Sequence, residues 1–391
     1  MHNPAEAVPP PWMTADHTAL FDAAARFARE VIAPNEERWR REHRVDLATW
    51  RKAGDLGLLA TDIPAEYGGA GGDFSHEAVI YRGMAQAADS GFLVGRGVHS
   101  IVAGYVMEHG TPAQKSEWLP RLASGESVGA IAMTEPGAGS DLKGMATRAE
   151  LRDGRYVLQG AKTYISNALN MGLLIVAART QGPGSAGGIT LFLLDPRGMP
   201  GLTVGRVLDK MGLHSQDTCE LFFEDCRLDA DAVLGGEPGR GLHQLMGQLP
   251  VERSILGVTA AAQMAHAVRL TYAYARERKA FGQAVGQFQH IRFRMAELLT
   301  RSAAATVFMD HVVQMRLLGK LDAATASMAK WWVTDTYCNV VDECLQVFGG
   351  AGYMNEYPIA RMYADARVMK IFAGTNEIMK ELIARWADAS A

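Results

Sequence analysis

The sequence predicts an α+β fold in which a helical region, a β-sheet region and a second helical region follow one another along the chain. Apolar residues recur at helical spacing in residues 16–125, for example in "TALFDAAARFAREVIAP". Residues 128–234 contain short β-rich runs such as "LLIVAART" and "ITLFLLD", separated by Gly, Pro and Asp turns. Long helical patterns return after "GGEPGRG". We therefore expect three domains, at residues 1–127, 128–238 and 239–391.

Turn residues and helix signals place the individual elements. In the N-terminal region, Pro34 and the "EYGGAGGD" loop are expected to break the helices. Five β-rich runs in the middle region predict a small, largely antiparallel sheet. The C-terminal patterns predict helices at residues 251–278, 288–318 and 322–347, with a last helix from about Asn376.

Composition excludes several classes of protein. With 391 residues, of which 48% are hydrophobic and 21% charged, the chain is neither disordered nor collagen-like and is long enough for two or three packed units. A formal net charge of -4 offers no electrostatic attraction to nucleic acid or to an anionic membrane. No apolar run approaches the ~20 residues of a membrane span, and the N-terminus lacks a signal-peptide core. We expect a cytoplasmic protein that binds a small molecule.

The cysteines and histidines show no metal-binding pattern. The four cysteines have neither C-x-x-C nor zinc-finger spacing, which fits free thiols in a reducing compartment. The eleven histidines are scattered and form no H-E-x-x-H motif. The sequence therefore offers no specific reason to expect a bound metal.

Residues 182–187, "GPGSAG", match the residue pattern of the dinucleotide fingerprint G-x-G-x-x-G but not its expected structural context. That motif needs a strand before it and a helix after it, so that a pyrophosphate meets the helix N-terminus. Here β-rich runs lie on both sides. We interpret the segment as a surface hairpin, and a nicotinamide-binding domain is not predicted.

Two glycine-rich stretches are candidates for ligand contact. Residues 132–144, "AMTEPGAGSDLKG", combine three glycines with Thr134, Glu135 and Ser140 at the expected mouth of the sheet. Glycines let the backbone approach a planar or phosphorylated ligand, although a Pro-Gly turn explains the composition equally well. Residues 346–365, "QVFGGAGYMNEYPIARMYAD", end a long helix with a glycine cluster that fits either a helix C-cap or a phosphate neighbour.

Two further stretches also have two interpretations each. The cations of "ARERKAFGQ", residues 275–283, suit a solvated helix C-terminus or a diphosphate. The segment "KTYISN", residues 162–167, alternates like a strand and places Tyr164 and Ser166 on one face. A tyrosine in such a strand is ordinarily a core residue. The more specific hypothesis is that Tyr164 faces a flavin.

Together and in this order, four motifs resemble the acyl-CoA dehydrogenase family, and the resemblance covers nearly the whole chain. The motifs are the loop with Glu135 and Ser140, the "RERKAFG" helix end, the "FGGAGY" segment and the "GTNEI" loop. The "FGGAGY" segment is followed by Asn355, Arg361 and Asp365, as in that family.

The resemblance implies two helical domains around a β domain, the last a four-helix bundle, with non-covalent FAD and a homotetramer built as a dimer of dimers. The residues implied around the flavin of their own subunit are Ile131, Met133, Thr134, Ser140, Tyr164 and Ser166. Those implied to reach the FAD of a neighbouring subunit are Arg278, Phe281, Gln289, Gln346, Gly349 and Gly350. Thr375 and Glu377 are further implied cofactor contacts, and Ser140, Arg253 and Gly374 are implied substrate contacts, Ser140 at the CoA arm.

The family's reaction is the α,β-dehydrogenation of an acyl thioester. A carboxylate removes the α proton while the β hydrogen leaves as hydride to the flavin, so both groups need fixed geometry. Many members carry the glutamate immediately before the Gly-Thr of the C-terminal loop, where this chain has Ala373. A smaller branch, which includes the isovaleryl and long-chain enzymes, carries it on a helix of the C-terminal domain. The segment "QLPVERSILGV" resembles that branch and implies Glu252 as the base.

Glu252 also has an ordinary explanation. After Pro250, a glutamate in the first helical turn is favoured by the helix dipole alone. If Glu252 is the base, the chain is expected to be an FAD-dependent dehydrogenase of a medium to long, straight-chain acyl-CoA that passes electrons to an electron-transferring flavoprotein. Two alternatives are a dehydrogenase of acyl chains on a carrier protein and a non-catalytic subunit that completes a partner's FAD site.

Overall fold

The computed structural model describes residues 8–87, 91–181 and 188–390. The segment "GPGSAG" and its expected hairpin lie outside these residues. The N-terminal region is helical, as predicted. Its helices are α1 (Ala15–Phe27), α2 (Ala33–Glu42), α3 (Leu47–Asp55), α4 (Phe74–Met84), α5 (Gly91–His109) and α6 (Pro112–Ala123).

The expected break at Pro34 is wrong, because the helix continues through it. A π-helical turn, Ala28–Ile32, joins α1 directly to α2, and Pro34 falls in the first turn of α2. The N–H of Ala33 donates to the carbonyl of Ala28, five residues back. The π turn shifts the hydrogen-bond register just before Pro34. Because Pro34 has no N–H to donate, its place in the first turn of α2 leaves the helix unbroken.

The middle region forms one mixed sheet of seven strands in the order β1-β4-β2-β3-β7-β6, with β5 paired to β4. The strands β1 and β2 run parallel to β4, and the other pairings are antiparallel. The sequence did not predict β1 and β2, which are only five residues long. The strands are β1 (Val128–Ala132), β2 (Arg148–Arg152), β3 (Arg155–Ser166), β4 (Met171–Gln181), β5 (Ile189–Leu194), β6 (Leu202–Val207) and β7 (Thr218–Leu228).

The two faces of the sheet belong to different cores. On β4, Ile175 and its same-face neighbours pack with Val102 and Leu119 of the N-terminal helices. Val176 and its neighbours point the other way, into a core built from the sheet region itself with residues such as Phe192. Successive side chains of β4 point to opposite faces, and both faces are buried. For this reason the strand is a continuous apolar run.

The C-terminal region is a helical bundle in which α7, α8, α9 and α11 pack on one another, and the predicted fold class is confirmed. Its elements are α7 (Gly241–Glu277), β8 (Lys279–Ala280), β9 (Gln283–Ala284), α8 (Gln289–Leu317), α9 (Ala323–Phe348), α10 (Pro358–Ala366) and α11 (Asn376–Ser390). The expected start of the first helix at residue 251 is wrong. Pro250 lies inside α7, which begins at Gly241.

One apolar core joins the two helical regions. It contains Trp50 and Phe92 from the N-terminal helices together with Met264, Val333 and Tyr337 from the C-terminal ones. The helices α4 and α5 both pack on α7, so a side chain on that face of α7 lies between the two regions. Within the described residues, no helix is long and apolar enough to cross a membrane.

Candidate active site

Glu252 lies in the interior of α7, where it faces the N-terminal helices. It is 6% exposed. The hydroxyl of Tyr105, on α5, donates a hydrogen bond of 2.9 Å to its Oε1. Because α7 begins at Gly241, Glu252 is well beyond the first turn, and the dipole of a helix acts mainly on its terminal turns. The helix-dipole explanation of this glutamate is therefore wrong.

The surroundings of Glu252 make its carboxylate more basic than an exposed one. Burial raises the pKa of Glu252, while the hydrogen bond from Tyr105 and the charge of Arg253 lower it less strongly. Burial also raises the pKa of Tyr105, so its phenol stays protonated and remains a donor. A carboxylate in this state is suited to accept a proton from a weakly acidic carbon.

Glu252 lines a cavity of about 170 Å³ between the two helical regions. Its walls come from α4, α5, α7, α8 and the loop that follows α3. The lining side chains are Asp62, Ile63, Phe74, Glu77, Ser100, Ile101, Met107, Glu108, Gln248, Val251, Ile255 and Arg316, with Gly104. A molecule bound in this cavity would therefore lie beside the Glu252 side chain.

A buried lysine fixes the loop before α11. Lys330, on α9, donates to the carbonyl of Gly374 at 2.6 Å and to Asn376 Oδ1 at 2.9 Å. Burial and, next, the charge of Arg253 lower the pKa of Lys330 to about 8. Ala373 and Gly374 both have positive φ, 53° and 88°, so the loop turns sharply here. The sequence did not indicate Lys330, which is far from the loop along the chain.

The glycine-rich loop of residues 132–144 is tied to the sheet by a buried ion pair. Lys162 Nζ donates to Glu135 Oε1 at 2.8 Å and to the carbonyl of Met133 at 3.0 Å. Glu135 also accepts the backbone N–H groups of Ala146 and Thr147. Residues 135–138 form a tight turn, so the Pro-Gly turn interpretation is right as local structure. A ligand role for the loop stays a prediction.

The side chains predicted to surround the flavin gather at adjoining ends of β1 and β3. The N–H of Thr163 donates to the carbonyl of Thr134 at 2.9 Å, which holds the two segments together. Tyr164 is 68% exposed with φ of 61°, so the core-tyrosine expectation is wrong. The other members, Ile131, Met133, Thr134 and Ser166, are half-buried, and Ser140 is exposed.

The residues predicted to reach a neighbour's cofactor lie apart from that group, around the end of α9. Arg278, Gly349 and Gly350 line a second cavity of about 350 Å³, together with Tyr274 and Tyr357. The lining of this cavity, as far as the chain is described, includes no member of the β1 and β3 group. Phe281, Gln289 and Gln346 are exposed nearby in sequence, Phe281 by 94%. Gly349 caps α9 with φ of 58°, so the C-cap interpretation is also right.

Thr375 and Glu377 open α11. Thr375 Oγ1 accepts the N–H of Ile378 at 3.4 Å. Hydrogen bonds from its own backbone and from Thr375 lower the pKa of Glu377. Both residues lie beside the loop that Lys330 holds, and their contact with a cofactor stays a prediction.

A group of two histidines and an aspartate sits on the N-terminal helices. The side chains of His17, Asp73 and His76 bring possible ligand atoms within 4.8 Å of one another, the one such group among the described residues. These atoms already have partners. His17 and His76 accept the N–H groups of Thr14 and Asp73 at 3.1 Å each, closing the first turns of α1 and α4. The group is explained by helix capping.

Three domain families match consecutive parts of the chain. The acyl-CoA dehydrogenase N-terminal domain matches residues 14–126, the middle domain residues 130–226 and the C-terminal domain residues 239–387. The chain belongs to the acyl-CoA dehydrogenase family. The resemblance inferred from the four motifs is confirmed, and the chain is an oxidoreductase of this family.

Relatives and solved structures of acyl-CoA dehydrogenases agree with this assignment. The chain is 42% identical to the mitochondrial long-chain specific acyl-CoA dehydrogenase of Rattus norvegicus, over 95% of this chain and 86% of that protein. It is 35% identical to the mitochondrial isovaleryl-CoA dehydrogenase of Oryza sativa subsp. japonica, over 93% and 89%. An acyl-CoA dehydrogenase structure from Geobacillus kaustophilus superposes with a TM-score of 0.92 and 38% identity, over 97% and 100%.

Acyl-CoA dehydrogenases are FAD-dependent, and FAD is the cofactor of this family member. A glutaryl-CoA dehydrogenase from Mycobacterium smegmatis, solved in complex with FADH2, superposes with a TM-score of 0.89 and 25% identity, over 96% of this chain and 95% of that one. The residues here fit such a cofactor. A Cβ at Gly349 or Gly350 would meet nothing within 4 Å, so bare backbone faces the cavity that Arg278 lines.

Proposed function

We propose that this acyl-CoA dehydrogenase oxidises the α,β bond of a medium to long, straight-chain acyl-CoA, with Glu252 as the base. The observation that carries the proposal is a buried carboxylate of raised pKa in the wall of the cavity between the helical regions. FAD, when bound, supplies the acceptor for the hydride that leaves the β carbon. The product is the trans-2-enoyl-CoA.

The chain's own residues handle the α proton. The Glu252 carboxylate takes it, and the Tyr105 hydroxyl, at 2.9 Å from Oε1, orients the carboxylate toward the cavity. Surrounding apolar side chains such as Val251 and Ile255 exclude water, which keeps the carboxylate basic. Arg253 and Gly374 complete the substrate contacts that we propose, with Ser140 at the CoA arm.

The remaining cofactor contacts and the assembly belong to the same proposal. The β1 and β3 group would hold the flavin of its own subunit, while Arg278, Gly349 and Gly350 would reach the FAD of a neighbour in a homotetramer. We propose an electron-transferring flavoprotein as the physiological electron acceptor and the cytoplasm as the location. Support comes from the implied FAD contacts, which form two separate groups, one at β1 and β3 and one at the end of α9.

Tyr105→Phe is expected to move the pH dependence of flavin reduction to higher pH. The phenol lowers the pKa of Glu252, so its removal lets burial raise that pKa further. The base is then ionised only at higher pH, and the acidic limb of the rate profile shifts upward. The measurement is anaerobic stopped-flow reduction by acyl-CoA across pH. Tyr337→Phe, in a buried core tyrosine away from Glu252, is the control, and an equal shift there would contradict the role of Tyr105.

The purified protein is expected to be yellow, with FAD that is released on denaturation without a covalent bond. Arg278→Ala should lower the FAD content, because it removes the cation from the second cavity. Arg276→Ala, an exposed cation in the last turn of α7, should leave it unchanged. The readout is the flavin absorbance per chain after dialysis. A folded, colourless protein that ignores added FAD would refute the proposal.

Octanoyl-CoA to palmitoyl-CoA are expected to bleach the flavin under anaerobic conditions. Air should then reoxidise the product complex only slowly, because bound product shields the reduced site from oxygen. The chain lengths follow from the likeness to long-chain enzymes. Absorbance at the flavin maximum, followed before and after admitting air, is the measurement. Rapid, stoichiometric peroxide would indicate an oxidase instead.

A further inference from the structure

The cavity beside Glu252 is polar on the side away from α7. Asp62, from the loop after α3, and Glu77, from α4, line it together with Ser100 of α5 and Arg316 of α8. A methylene group at this side would displace water from the exposed Asp62 without replacing the hydrogen bonds that the water makes. That exchange costs free energy.

The helix α5 gives the distance between the base and this polar side. Tyr105 bonds Glu252, and Ser100 bonds Glu77 at 3.2 Å. Ser100 and Tyr105 are five positions apart, which corresponds to about 7.5 Å along the helix axis. Glu108, also in the cavity wall, lies beyond Tyr105 in the opposite direction. The polar side is thus several methylene groups away from an α carbon placed at Glu252.

Of the two carboxyls at this side, Glu77 is already satisfied. It accepts two hydrogen bonds from Arg96, at 2.9 Å and 3.0 Å, and further ones from the N–H of Thr61 and the hydroxyl of Ser100. A ligand would have to break this set in order to bind Glu77. The carboxyl of Glu77 is therefore part of the wall and not a ligand contact.

Asp62 is different, because no side chain of the described residues donates a hydrogen bond to its carboxyl. Although the residue as a whole is exposed, burial of its carboxyl and, next, the charge of Glu77 raise the pKa of Asp62 to about 7. Arg316 is near enough for its charge to favour the ionised form of Asp62. Asp62 is left with free hydrogen-bonding capacity at a cavity wall.

We propose that the cavity takes an acyl chain with a hydroxyl group several carbons beyond the thioester, and that Asp62 selects this hydroxyl. A hydroxyl can donate to the Asp62 carboxylate and accept from Arg316, so it satisfies both groups. A terminal carboxylate would meet Asp62 and Glu77 as like charges. This inference rests on the proposed function, since it measures the chain from Glu252.

The test compares substrates of equal length. Reduction of the flavin in the holoenzyme is followed with octanoyl-CoA, decanoyl-CoA, their ω-hydroxy derivatives and the ω-carboxy derivative of each. The better of the two ω-hydroxy thioesters is expected to exceed its unsubstituted partner in kcat/KM by about 10- to 100-fold, the range of a hydrogen bond to a charged group. The ω-carboxy thioesters should be poorer than the ω-hydroxy ones.

Variants assign the preference to its residue. Asp62→Leu removes the hydrogen bond and should abolish the preference for the hydroxyl, whereas Asp62→Asn can still donate and accept and should keep much of it. Glu108→Gln, at the other end of the same cavity, should keep it entirely. If Asp62→Leu does not fold, the wild-type ratio and the Asp62→Asn ratio still decide.

Each outcome is decisive. Equal kcat/KM for hydroxylated and plain chains would overturn this inference and leave the proposed function standing. A hydroxyl preference that survives in Asp62→Leu, or a preference for the ω-carboxylate, would overturn the role of Asp62. No flavin reduction by any of these thioesters would overturn the proposed function itself, and this inference with it.

Discussion

Glu252→Gln is expected to slow anaerobic flavin reduction by a good acyl-CoA by ~10²–10⁴-fold, the usual contribution of a general base. Glutamine has nearly the size and shape of glutamate but cannot take the α proton. FAD content and thioester binding should therefore stay close to wild type, so the loss falls on the reduction step. Stopped-flow absorbance of the flavin, with the thioester in excess, measures it.

The control for this experiment is Glu108→Gln, which removes a carboxylate from the wall of the same cavity. It should reduce at nearly the wild-type rate, because Glu108 is exposed and the hydrogen bond to Glu252 comes from Tyr105. Near-normal reduction in Glu252→Gln would show that the base is another residue.

A carboxylate can also be returned to the position that most of the family uses. Ala373→Glu in the Glu252→Gln background is expected to recover part of the rate, provided that both positions face the α carbon. The recovery should be incomplete, because residue 373 has φ of 53°, a conformation that residues other than glycine adopt with strain. If the double variant binds FAD and thioester normally but recovers no rate, positions 252 and 373 do not face the same α carbon.

Arg96→Met is expected to lower the free energy of unfolding by about 3–5 kcal/mol, the cost of breaking a buried ion pair from one side. Arg96 and Glu77 are both buried, at 0% and 1% exposure, and are joined by two hydrogen bonds. Arg96 also donates to the carbonyl of Leu58 at 2.7 Å. Its removal leaves a buried carboxylate without a counter-charge. Urea unfolding followed by circular dichroism measures the change.

The matched control is Arg385→Met, which breaks an exposed i,i+4 pair with Glu381. Here water solvates the remaining carboxylate, so the loss should stay within about 0.5 kcal/mol. A second variant, Arg96→Met with Glu77→Leu, removes both charges and should be more stable than Arg96→Met alone. Equal losses in Arg96→Met and Arg385→Met would show that the buried pair contributes little.

The sequence predicted the long helices well where the apolar period is long and uninterrupted. The ends of α8 and α9 agree with the prediction to within one residue. It failed where a proline was taken as a boundary. Pro34 and Pro250 both lie within continuous helix, Pro34 just after a π turn and Pro250 inside α7. Local propensity does not carry that information.

The candidate site was only partly predictable, for a related reason. Glu252 could be proposed because a motif surrounds it in sequence. Tyr105 and Lys330 could not, since each acts across a contact between elements that are distant along the chain. Neither residue type indicates a function by itself. Only the folded structure shows that Tyr105 of α5 bonds Glu252 of α7, and that Lys330 of α9 bonds the carbonyl of Gly374 in the loop before α11.

The core shared by the two helical regions limits how this protein can be cut and recombined. That core contains Trp50 and Phe92 from one region and Met264 and Tyr337 from the other, so either helical segment produced alone would expose apolar surface. The sheet differs, since residues such as Phe192 and Phe223 fill a core made entirely by its own segment. A chimaera that exchanges the sheet between relatives keeps this core intact but must still match the other face of β4, which packs on the N-terminal helices. One that exchanges only the first helices must also rebuild the face of α7 on which α4 and α5 pack.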